Sequence, residues 1–310
     1  MPAPIRRSGG GVAGAGGGGG GGATSVGSSS VGHPSSRCCF TSYLLPCVRL
    51  RIMGYLLVTG GMGTLGRRLV QLAAAQGWTV RATWWQRPPE GEADWVHADI
   101  RDAGSVARAV DGVDAVIHTA YRLGGDDEWE TNVTGAELVA RAAAPRRLIH
   151  LSTDVVFDGT LGRYREEDVP APVNPYGRSK AEAELRVADA HPAATVARTS
   201  LIYGTPDGPQ ERLAREGRRF YVDELRSPVH VDDLASGLLE LLAVDAPGPL
   251  HVAGADDVNR YEFAVMLGAD ESLIEPAQTT PERAPDVTLD SSQAAGLLRT
   301  RLRGVREVLG

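Results

Sequence analysis

Residues 55–66 read YLLVTGGMGTLG, an apolar strand followed at once by a glycine-rich turn and the start of a helix. Gly60, Gly63 and Gly66 have the spacing G-x-x-G-x-x-G, which permits a tight turn, close backbone approach to a pyrophosphate and close helix packing. Strand, turn and helix follow one another in the required order. The stretch therefore predicts a dinucleotide-binding unit.

Short apolar runs alternate with helical segments on the C-terminal side of this stretch, which is typical of a parallel sheet covered on both faces. The predicted strands are Tyr55–Thr59, Thr79–Thr83, Trp95–His97, Ala115–His118, Leu148–Ser152 and Thr195–Thr199. The predicted helices are Leu65–Gln76, Ser105–Val110, Thr131–Ala144, Pro175–Ala190, Val231–Leu242 and Tyr261–Leu267. The order predicts a Rossmann-like, doubly wound α/β fold, with an NAD(P)-binding domain at 53–200 and a smaller substrate lobe at 201–310, completed by the sheet edge.

The first 52 residues differ in composition from the rest of the chain. They hold 13 of the 38 glycines, all three cysteines and five arginines, and no acidic residue. A Gly/Ser tract of this kind buries too little apolar surface to offset its chain entropy, so we expect a disordered tail at 1–52. Its composition resembles a transit peptide, and a start at Met53 is the alternative interpretation.

Arginine almost replaces lysine in this chain, with 31 arginines and the single lysine Lys180. No Gly-Lys pair occurs, which excludes a Walker A phosphate loop. The formal net charge is −7, a balance that disfavours nucleic acid as a partner. No run of about 18 apolar residues is present, so no membrane span is predicted. We expect a cytoplasmic protein.

The cofactor type is predicted from the first helix and the second strand. Thr64 and Leu65 open the helix, whose N-terminal amides favour a phosphate group. An acid at the end of the second strand would accept the ribose hydroxyls of NAD, and none occurs before Glu90. This favours NADPH, with NADH as the alternative.

Further cofactor contacts are predicted around this strand. Arg87 is the candidate partner of the 2′-phosphate, and Arg67 is the alternative. Asp99 and Ile100 follow the third strand and are predicted at the adenine, where a helix-capping turn is the alternative interpretation. The predicted contacts after the fourth strand are Thr119, Ala120 and Tyr121.

Tyr176 and Lys180 are four residues apart in NPYGRSK, residues 174–180, and so share one face of the predicted helix. Asn174 and Pro175 are typical of a helix start. A phenol has an ordinary pKa of about 10, and an adjacent ammonium group lowers that pKa because it stabilises the phenolate. A guanidinium is bulkier and does not release a proton, so arginine is a poor substitute. The pair predicts proton transfer by Tyr176.

A hydroxyl group is predicted beside this pair, at the end of the preceding strand in LSTDVVFDG, residues 151–159. It could donate a hydrogen bond to a substrate carbonyl oxygen. Thr153 is the candidate and Ser152 the alternative, because side chains alternate along a strand and only one of two neighbours faces the cleft.

Together these segments resemble the extended short-chain dehydrogenases/reductases, and within them the dTDP-4-dehydrorhamnose reductase family. The family's glycine loop corresponds to Thr59–Gly66, its S-T-D-x-V-F-D-G segment to Ser152–Gly159, and its Y-G-x-S-K segment to Tyr176–Lys180. Further matches are Arg198–Ser200, Tyr203–Gly204, Pro228–Ala235, His251–Gly254, Tyr261–Ala264 and Leu289–Ser292. The resemblance covers residues 54–310.

The resemblance implies that Thr153, Tyr176 and Lys180 form a catalytic triad, with Tyr176 and Lys180 also touching the cofactor. It implies hydride delivery from NAD(P)H to the C4 ketone of a nucleotide-linked 6-deoxyhexulose. Asp154 joins Thr153 at the substrate, and Val155 stands where a 4,6-dehydratase has glutamate, which favours reduction over dehydration.

The diphosphate of such a substrate is assigned to Arg218 and Arg226, with Arg219 as a further candidate and solvent exposure as the alternative for each. Two other functions stay open: a nucleotide-sugar epimerase on the same scaffold, and a non-catalytic NAD(P)-binding regulatory subunit. A small-molecule nucleotide sugar is the expected partner, and a homodimer is a candidate assembly.

The histidines are not predicted to bind a metal or to act as bases. His118 and His150 end apolar strands and His251 begins one, which is typical of core residues. No H-E-x-x-H or G-x-S-x-G motif occurs, so neither a zinc hydrolase nor a serine hydrolase is predicted. We expect no metal.

Overall fold

A computed structural model describes residues 54–86, 88–89 and 93–310. The predicted tail at 1–52 and the predicted phosphate partner Arg87 lie outside the described residues. None of the described helices is long and apolar enough to cross a membrane.

A seven-stranded sheet forms the centre of the fold, and every neighbouring pair in it is parallel. The six predicted strands are all present, with small differences at their ends. The strands in chain order are β1 Tyr55–Thr59, β2 Thr79–Trp84, β3 Asp94–His97, β4 Ala115–His118, β5 Arg147–Thr153, β6 Thr195–Thr199, β7 Ile202–Tyr203, β8 Arg219–Tyr221, β9 Leu225–Arg226, β10 Val229–His230, β11 Gly248–His251, β12 Val258–Asn259 and β13 Glu275–Ala277. The sheet order is β11-β6-β5-β4-β1-β2-β3, which confirms the predicted doubly wound α/β fold.

Helices cover both faces of the sheet. They are α1 Thr64–Ala75, α2 Ala103–Val110, α3 Gly135–Ala143, α4 Pro175–Ala190, α5 Pro209–Glu216, α6 Val231–Leu241, α7 Arg260–Met266, α8 Ser292–Leu297 and α9 Val305–Leu309. The end of α1 and the start of α4 follow from local residues, and the start predicted at Asn174 and Pro175 is confirmed. Gly77 follows α1 with a φ of +92°, a left-handed conformation that glycine adopts without strain. Asn174 caps α4 by accepting a hydrogen bond from the Gly177 amide at 2.7 Å.

Alternation along β1 explains how one apolar run builds two cores. Leu56 and Val58 pack with α1 and α6 on one face of the sheet. Leu57 packs with α2, α3 and α4 on the other face. A strand buried on both faces is apolar at every position, and for this reason residues 55–58 show no polar alternation.

The helix predicted at Thr131–Ala144 is divided in the structure. A π-helical turn occupies Glu130–Thr134, and α3 follows it. Within the turn, the Asn132 side chain bonds both backbone groups of Arg122 and the Ser179 hydroxyl of α4. These tertiary hydrogen bonds hold the wider turn, which apolar periodicity does not indicate.

The part of the chain after residue 200 contributes to the large sheet and also builds smaller ladders. β11 lies at the sheet edge beside β6, while β7 pairs with β10, β8 with β13, and β9 with β12. The division into a cofactor domain at 53–200 and a substrate lobe at 201–310 stays a prediction.

Candidate active site

The glycine-rich turn between β1 and α1 has the geometry of a phosphate loop. Gly60 has a φ of +68°, and a Cβ atom there would lie 2.8 Å from the backbone of Ala120. A Cβ atom on Gly66 would overlap the Gly60 carbonyl group. At Gly63 the same atom would meet nothing closer than 3.4 Å, so Gly63 keeps the surface of the loop open to a ligand.

The N-terminus of α1 is available to an anion. The helix begins at Thr64, its N-cap Gly63 supplies no side-chain hydrogen bond, and its first turn has no acidic residue. The amides of Thr64 and Leu65 belong to the first turn and have no acceptor within the helix. Their partial positive charge suits a pyrophosphate.

A cavity of about 430 Å³ lies next to this loop at the carboxyl ends of the strands, where doubly wound sheets bind their ligands. Its lining is Gly60, Met62, Gly63, Thr83, Trp84, Trp85, Gln86, Ala98, Asp99, Ile100, Arg101, Thr119, Ala120, Tyr121, Arg122, Asp127 and Thr131. The predicted residues Asp99, Ile100 and Thr119 to Tyr121 are therefore in one place. A hydrogen bond joins the end of β1 to the residue after β4, because the Thr119 hydroxyl donates to the Thr59 carbonyl oxygen at 2.7 Å.

Asp99 is already paired within this cavity. Arg101 binds both of its carboxylate oxygens at 2.8 to 3.1 Å and reaches Asp127 as well. The hydrogen bonds from Arg101 lower the pKa of the Asp99 carboxyl group. Asp99 also forms the turn that leads into α2, because its carboxylate accepts the Arg101 amide hydrogen at 3.0 Å, while the helix cap itself is Asp102. An adenine amino group would share Asp99 with Arg101.

The end of β2 presents aromatic and amide side chains to the same cavity. Trp84, Trp85 and Gln86 are uncharged, so nothing at these positions would repel a 2′-phosphate. Arg67, the alternative partner of that phosphate, donates to the Met62 carbonyl oxygen at 3.0 Å and does not line the cavity.

A second cavity of about 900 Å³ contains Thr153 and Tyr176. The lining residues are Leu123, Gly124, Gly125, Glu128, Thr153, Asp154, Val155, Asn174, Pro175, Tyr176, Ser200, Leu201, Tyr221, Glu224, Arg226, Arg260, Thr280, Glu282 and Arg283. Ser152 is not among them, because its hydroxyl donates to Glu184 Oε1 on α4 at 2.5 Å. Between the two alternatives on β5, the structure brings Thr153 to Tyr176.

Tyr176 connects the two cavities. Its ring centre lies 5.9 Å from that of Tyr121, which lines the first cavity. Burial raises the pKa of the Tyr176 phenol, and electrostatic interaction with Tyr121, Asp154 and Glu128 raises it further. A neutral phenol at the junction of two cavities is suited to donating a proton.

Lys180 lies one turn along α4, only 3% exposed. Its Nζ donates to the Leu151 carbonyl oxygen at 2.7 Å and approaches His150 Nε2 at 3.4 Å. Burial lowers the pKa of Lys180 to about 8, while Glu184 opposes that shift. The expected lowering of the Tyr176 pKa by Lys180 is not seen, because desolvation of the phenol dominates.

Three arginines meet around one buried carboxylate at the far side of the second cavity. Glu224 Oε1 lies 2.9 Å from Arg226 and 3.9 Å from Arg260, and Glu224 Oε2 lies 2.5 Å from Arg283. Burial raises the pKa of the adjacent Asp154. The charge of Arg226 and the hydrogen bond from Ser200 act in the opposite direction and lower that pKa in part. Glu128 and Glu282 also line the cavity.

The structure brings Arg226 to this cavity and leaves the other predicted arginines elsewhere. Arg218 is exposed and bonds the backbone carbonyls of Glu216 and Gly217. Arg219 is exposed as well. Sequence reasoning missed Arg260 and Arg283, since they come from distant segments. Arg260 directly precedes the matched segment Tyr261–Ala264, but neither arginine belongs to a matched segment.

Residues 53–302 match the protein family described as the RmlD substrate binding domain. The chain belongs to that family. The resemblance drawn from the glycine loop, the Thr153 segment and the Tyr176 segment is thereby confirmed.

A dTDP-4-dehydrorhamnose reductase of Mycolicibacterium smegmatis is 35% identical to this chain over 293 residues, covering 84% of this chain and 86% of the relative. Methionine adenosyltransferase 2 subunit beta of Pongo abelii is 27% identical over 292 residues, covering 82% and 86%. The crystal structure of a hypothetical dTDP-4-dehydrorhamnose reductase from Sulfolobus tokodaii is 27% identical, with a TM-score of 0.69 over 80% of this chain and 96% of that one.

Proposed function

We propose that this protein is an NADPH-dependent reductase that acts on the C4 ketone of a nucleotide-linked 6-deoxyhexulose. The observation that carries the proposal is the position of Thr153 and Tyr176 in one cavity of about 900 Å³, which meets the cavity at the glycine-rich loop through the Tyr121 and Tyr176 rings. The reductase from Mycolicibacterium smegmatis, at 35% identity, supports the same substrate class.

The first cavity fits a dinucleotide. Gly63 leaves its surface clear at the uncapped start of α1, and Ile100 and Trp84 offer apolar surface to an adenine. The absence of an acid at Trp84 to Gln86 favours NADPH, with NADH as the alternative. When bound, NADPH supplies the hydride for the ketone carbon.

Tyr176 supplies the proton in this proposal. Its phenolic O–H bond breaks as the substrate oxygen becomes an alkoxide, and the new O–H bond completes the alcohol. The raised pKa of Tyr176 keeps the phenol protonated until that charge develops. Thr153 donates a hydrogen bond to the same oxygen and stabilises its developing charge.

Lys180 and the arginine cluster have supporting roles. The buried ammonium group of Lys180 would stabilise Tyr176 phenolate after proton donation and hold the nicotinamide ribose. Arg226, Arg260 and Arg283 would bind the substrate diphosphate, because guanidinium groups suit phosphate oxygens. We also keep a cytoplasmic location and a homodimer as predictions.

The relative named methionine adenosyltransferase 2 subunit beta favours a second candidate, a non-catalytic NAD(P)-binding regulatory subunit. A pure binder has no need of Thr153, Tyr176 and Lys180 together, and this chain holds all three. An epimerase on the same scaffold would retain its cofactor through repeated turnovers.

The test is NADPH oxidation by the purified protein, followed at 340 nm against a panel of 4-keto-6-deoxy nucleotide sugars with different bases. The proposal predicts stoichiometric NADPH loss and formation of a C4 alcohol with at least one sugar. Tightly retained NAD(H) with no net oxidation would favour the epimerase. No turnover, together with a stably co-purifying partner enzyme, would favour the regulatory subunit.

A further inference from the structure

The ammonium group of Lys180 is held by the strand beside it. Its Nζ donates to the Leu151 carbonyl oxygen at 2.7 Å and lies 3.4 Å from His150 Nε2. An ammonium group has three N–H bonds. Because two of these bonds point to acceptors on β5, one N–H bond remains for a ligand or for Tyr176.

His150 itself is fixed from the neighbouring strand. It is 1% exposed and stands opposite His118 in the β4 and β5 register, with ring centres 5.1 Å apart. His118 Nδ1 lies 2.6 Å from the Thr59 hydroxyl, and that oxygen accepts the Thr119 amide hydrogen at 3.2 Å. The two histidines thus lie between the cofactor loop and Lys180.

The contact with Lys180 sets the tautomer of His150. An ammonium group only donates, so His150 Nε2 must accept and the ring hydrogen must be on Nδ1. That Nδ1 atom is buried and has no hydrogen-bond partner within the described part of the chain. A buried donor without an acceptor is unfavourable. The ring nevertheless keeps its hydrogen on Nδ1, because Nε2 has to accept the hydrogen bond from Lys180.

A neutral acceptor is the suitable group at this position. The titratable groups that interact with Lys180 are His118 on β4, His150 on β5 and Glu184 on α4. Burial and the Lys180 charge hold the pKa of His150 well below its ordinary value, and burial lowers that of His118 to about 3. Both rings stay neutral, so His150 accepts from the ammonium group without cancelling its charge.

Glu184 does not replace this acceptor. Its carboxylate is occupied by the Ser152 hydroxyl at 2.5 Å and by the Arg198 guanidinium at 2.8 to 3.2 Å. Arg198 lies on β6 and balances the charge of Glu184. The ammonium group therefore keeps a net positive charge toward the site.

We infer that His150 is a positioning residue, which accepts a hydrogen bond from Lys180 and directs the remaining N–H of its ammonium group toward the cofactor ribose and Tyr176. The inference rests on the proposed reductase function. His118 supports His150 by packing against its ring.

The test compares His150→Gln, His150→Asn and His150→Leu. Glutamine can place an amide oxygen near the Nε2 position, whereas asparagine reaches only the Nδ1 position and leucine offers no acceptor. The inference predicts that Gln keeps turnover and NADPH affinity within about threefold, while Asn and Leu lower kcat and weaken NADPH binding roughly 10- to 100-fold. His191→Gln and His191→Leu are the matched controls, since His191 is also buried at the end of α4 and its ring bonds the Arg146 carbonyl oxygen, away from Lys180.

A double-mutant cycle separates positioning from general loss of stability. Once Lys180→Met has removed the ammonium group, His150→Asn should have no further effect on NADPH affinity. Additive losses, or equal behaviour of the Gln and Asn variants at equal thermal stability, would overturn the inference. If His150→Leu does not fold, the Gln and Asn pair carries the same comparison.

NADPH affinity is measured by direct fluorescence titration and needs no substrate. If the protein reduces no keto sugar, the proposed function is wrong, but the NADPH affinities of the His150 variants can still be compared. If the protein proves to be a reductase but His150→Asn changes neither its NADPH affinity nor its kcat, the inference about His150 is wrong and the proposed function is unaffected.

Discussion

The Ser152 hydroxyl donates to Glu184 Oε1 at 2.5 Å, so Ser152 faces α4, while the next residue, Thr153, lines the second cavity. Thr153→Val keeps the β-branched shape but removes the hydroxyl. We expect kcat/KM with a keto sugar to fall roughly 100-fold, because a donor to the developing oxyanion is lost. Steady-state NADPH oxidation measures this.

Ser152→Ala is the matched control on the same strand. It should keep kcat within about twofold while lowering the free energy of unfolding by about 1–3 kcal/mol, because a buried carboxylate oxygen loses a donor. Urea denaturation measures the second effect. A large loss of kcat in Ser152→Ala with Thr153→Val unaffected would reverse the assignment.

Gly63 and Gly66 are expected to respond differently to alanine. A Cβ atom on Gly66 would overlap the Gly60 carbonyl group, whereas one on Gly63 would meet no protein atom closer than 3.4 Å. Gly66→Ala should therefore lower thermal stability, and Gly63→Ala should fold normally but bind NADPH roughly tenfold more weakly, since its methyl group lies where a phosphate approaches.

Gly296→Ala is the control for these substitutions, because a Cβ atom there would meet nothing within 4 Å. It should change the free energy of unfolding by no more than about 1 kcal/mol, and it should leave NADPH affinity unchanged. Unchanged NADPH binding in Gly63→Ala would contradict the placement of the pyrophosphate at this loop.

The arginine cluster predicts a change in substrate affinity. Arg283→Ala removes one guanidinium from the cavity but leaves Glu224 paired with Arg226 at 2.9 Å. We expect KM for the nucleotide sugar to rise about tenfold with kcat little changed, the pattern of lost uniform binding. Arg218→Ala is the control, because Arg218 is exposed and lies outside the cavity. An equal rise in KM for both variants would argue against the cluster as the diphosphate site.

Burial of Lys180 predicts a pH-dependent stability difference. Its pKa falls from 10.5 to about 8 in the folded protein, so between these values the unfolded chain binds more protons and stability rises with pH. Lys180→Met lacks this rise. The free energy of unfolding of the wild type should therefore gain about 3 kcal/mol relative to the variant from pH 8 to pH 10.5. Urea titrations at several pH values measure it, and an opposite slope would contradict the burial of the ammonium group.

Local signals were enough to predict the elements that carry the site. Strand β1, the glycine turn and α1 follow from apolar content and glycine spacing within residues 55–66, and α4 begins where Asn174 and Pro175 predict. Each of these elements is determined by hydrogen bonds or steric limits among residues that are close in sequence. Such elements can therefore be predicted from the local residue types.

Tertiary contacts account for what was missed. Arg260 and Arg283 approach Glu224 from separate segments. Arg260 stands directly before the matched segment Tyr261–Ala264, but that segment does not indicate an approach to Glu224. The raised pKa of Tyr176 arises from desolvation in a cavity built by several elements, which the i and i+4 spacing to Lys180 does not show. His150 was interpreted as a core residue, and its contact with Lys180 depends on how α4 lies on β5.

The most direct measurement of the central claim is the turnover of Tyr176→Phe with NADPH and dTDP-4-dehydrorhamnose, at an NADPH concentration that saturates both proteins. Phenylalanine keeps the ring that contacts Tyr121 and removes the proton donor. We predict that kcat falls about 10²- to 10⁴-fold while NADPH affinity and thermal stability are retained. Full activity in Tyr176→Phe would contradict the account.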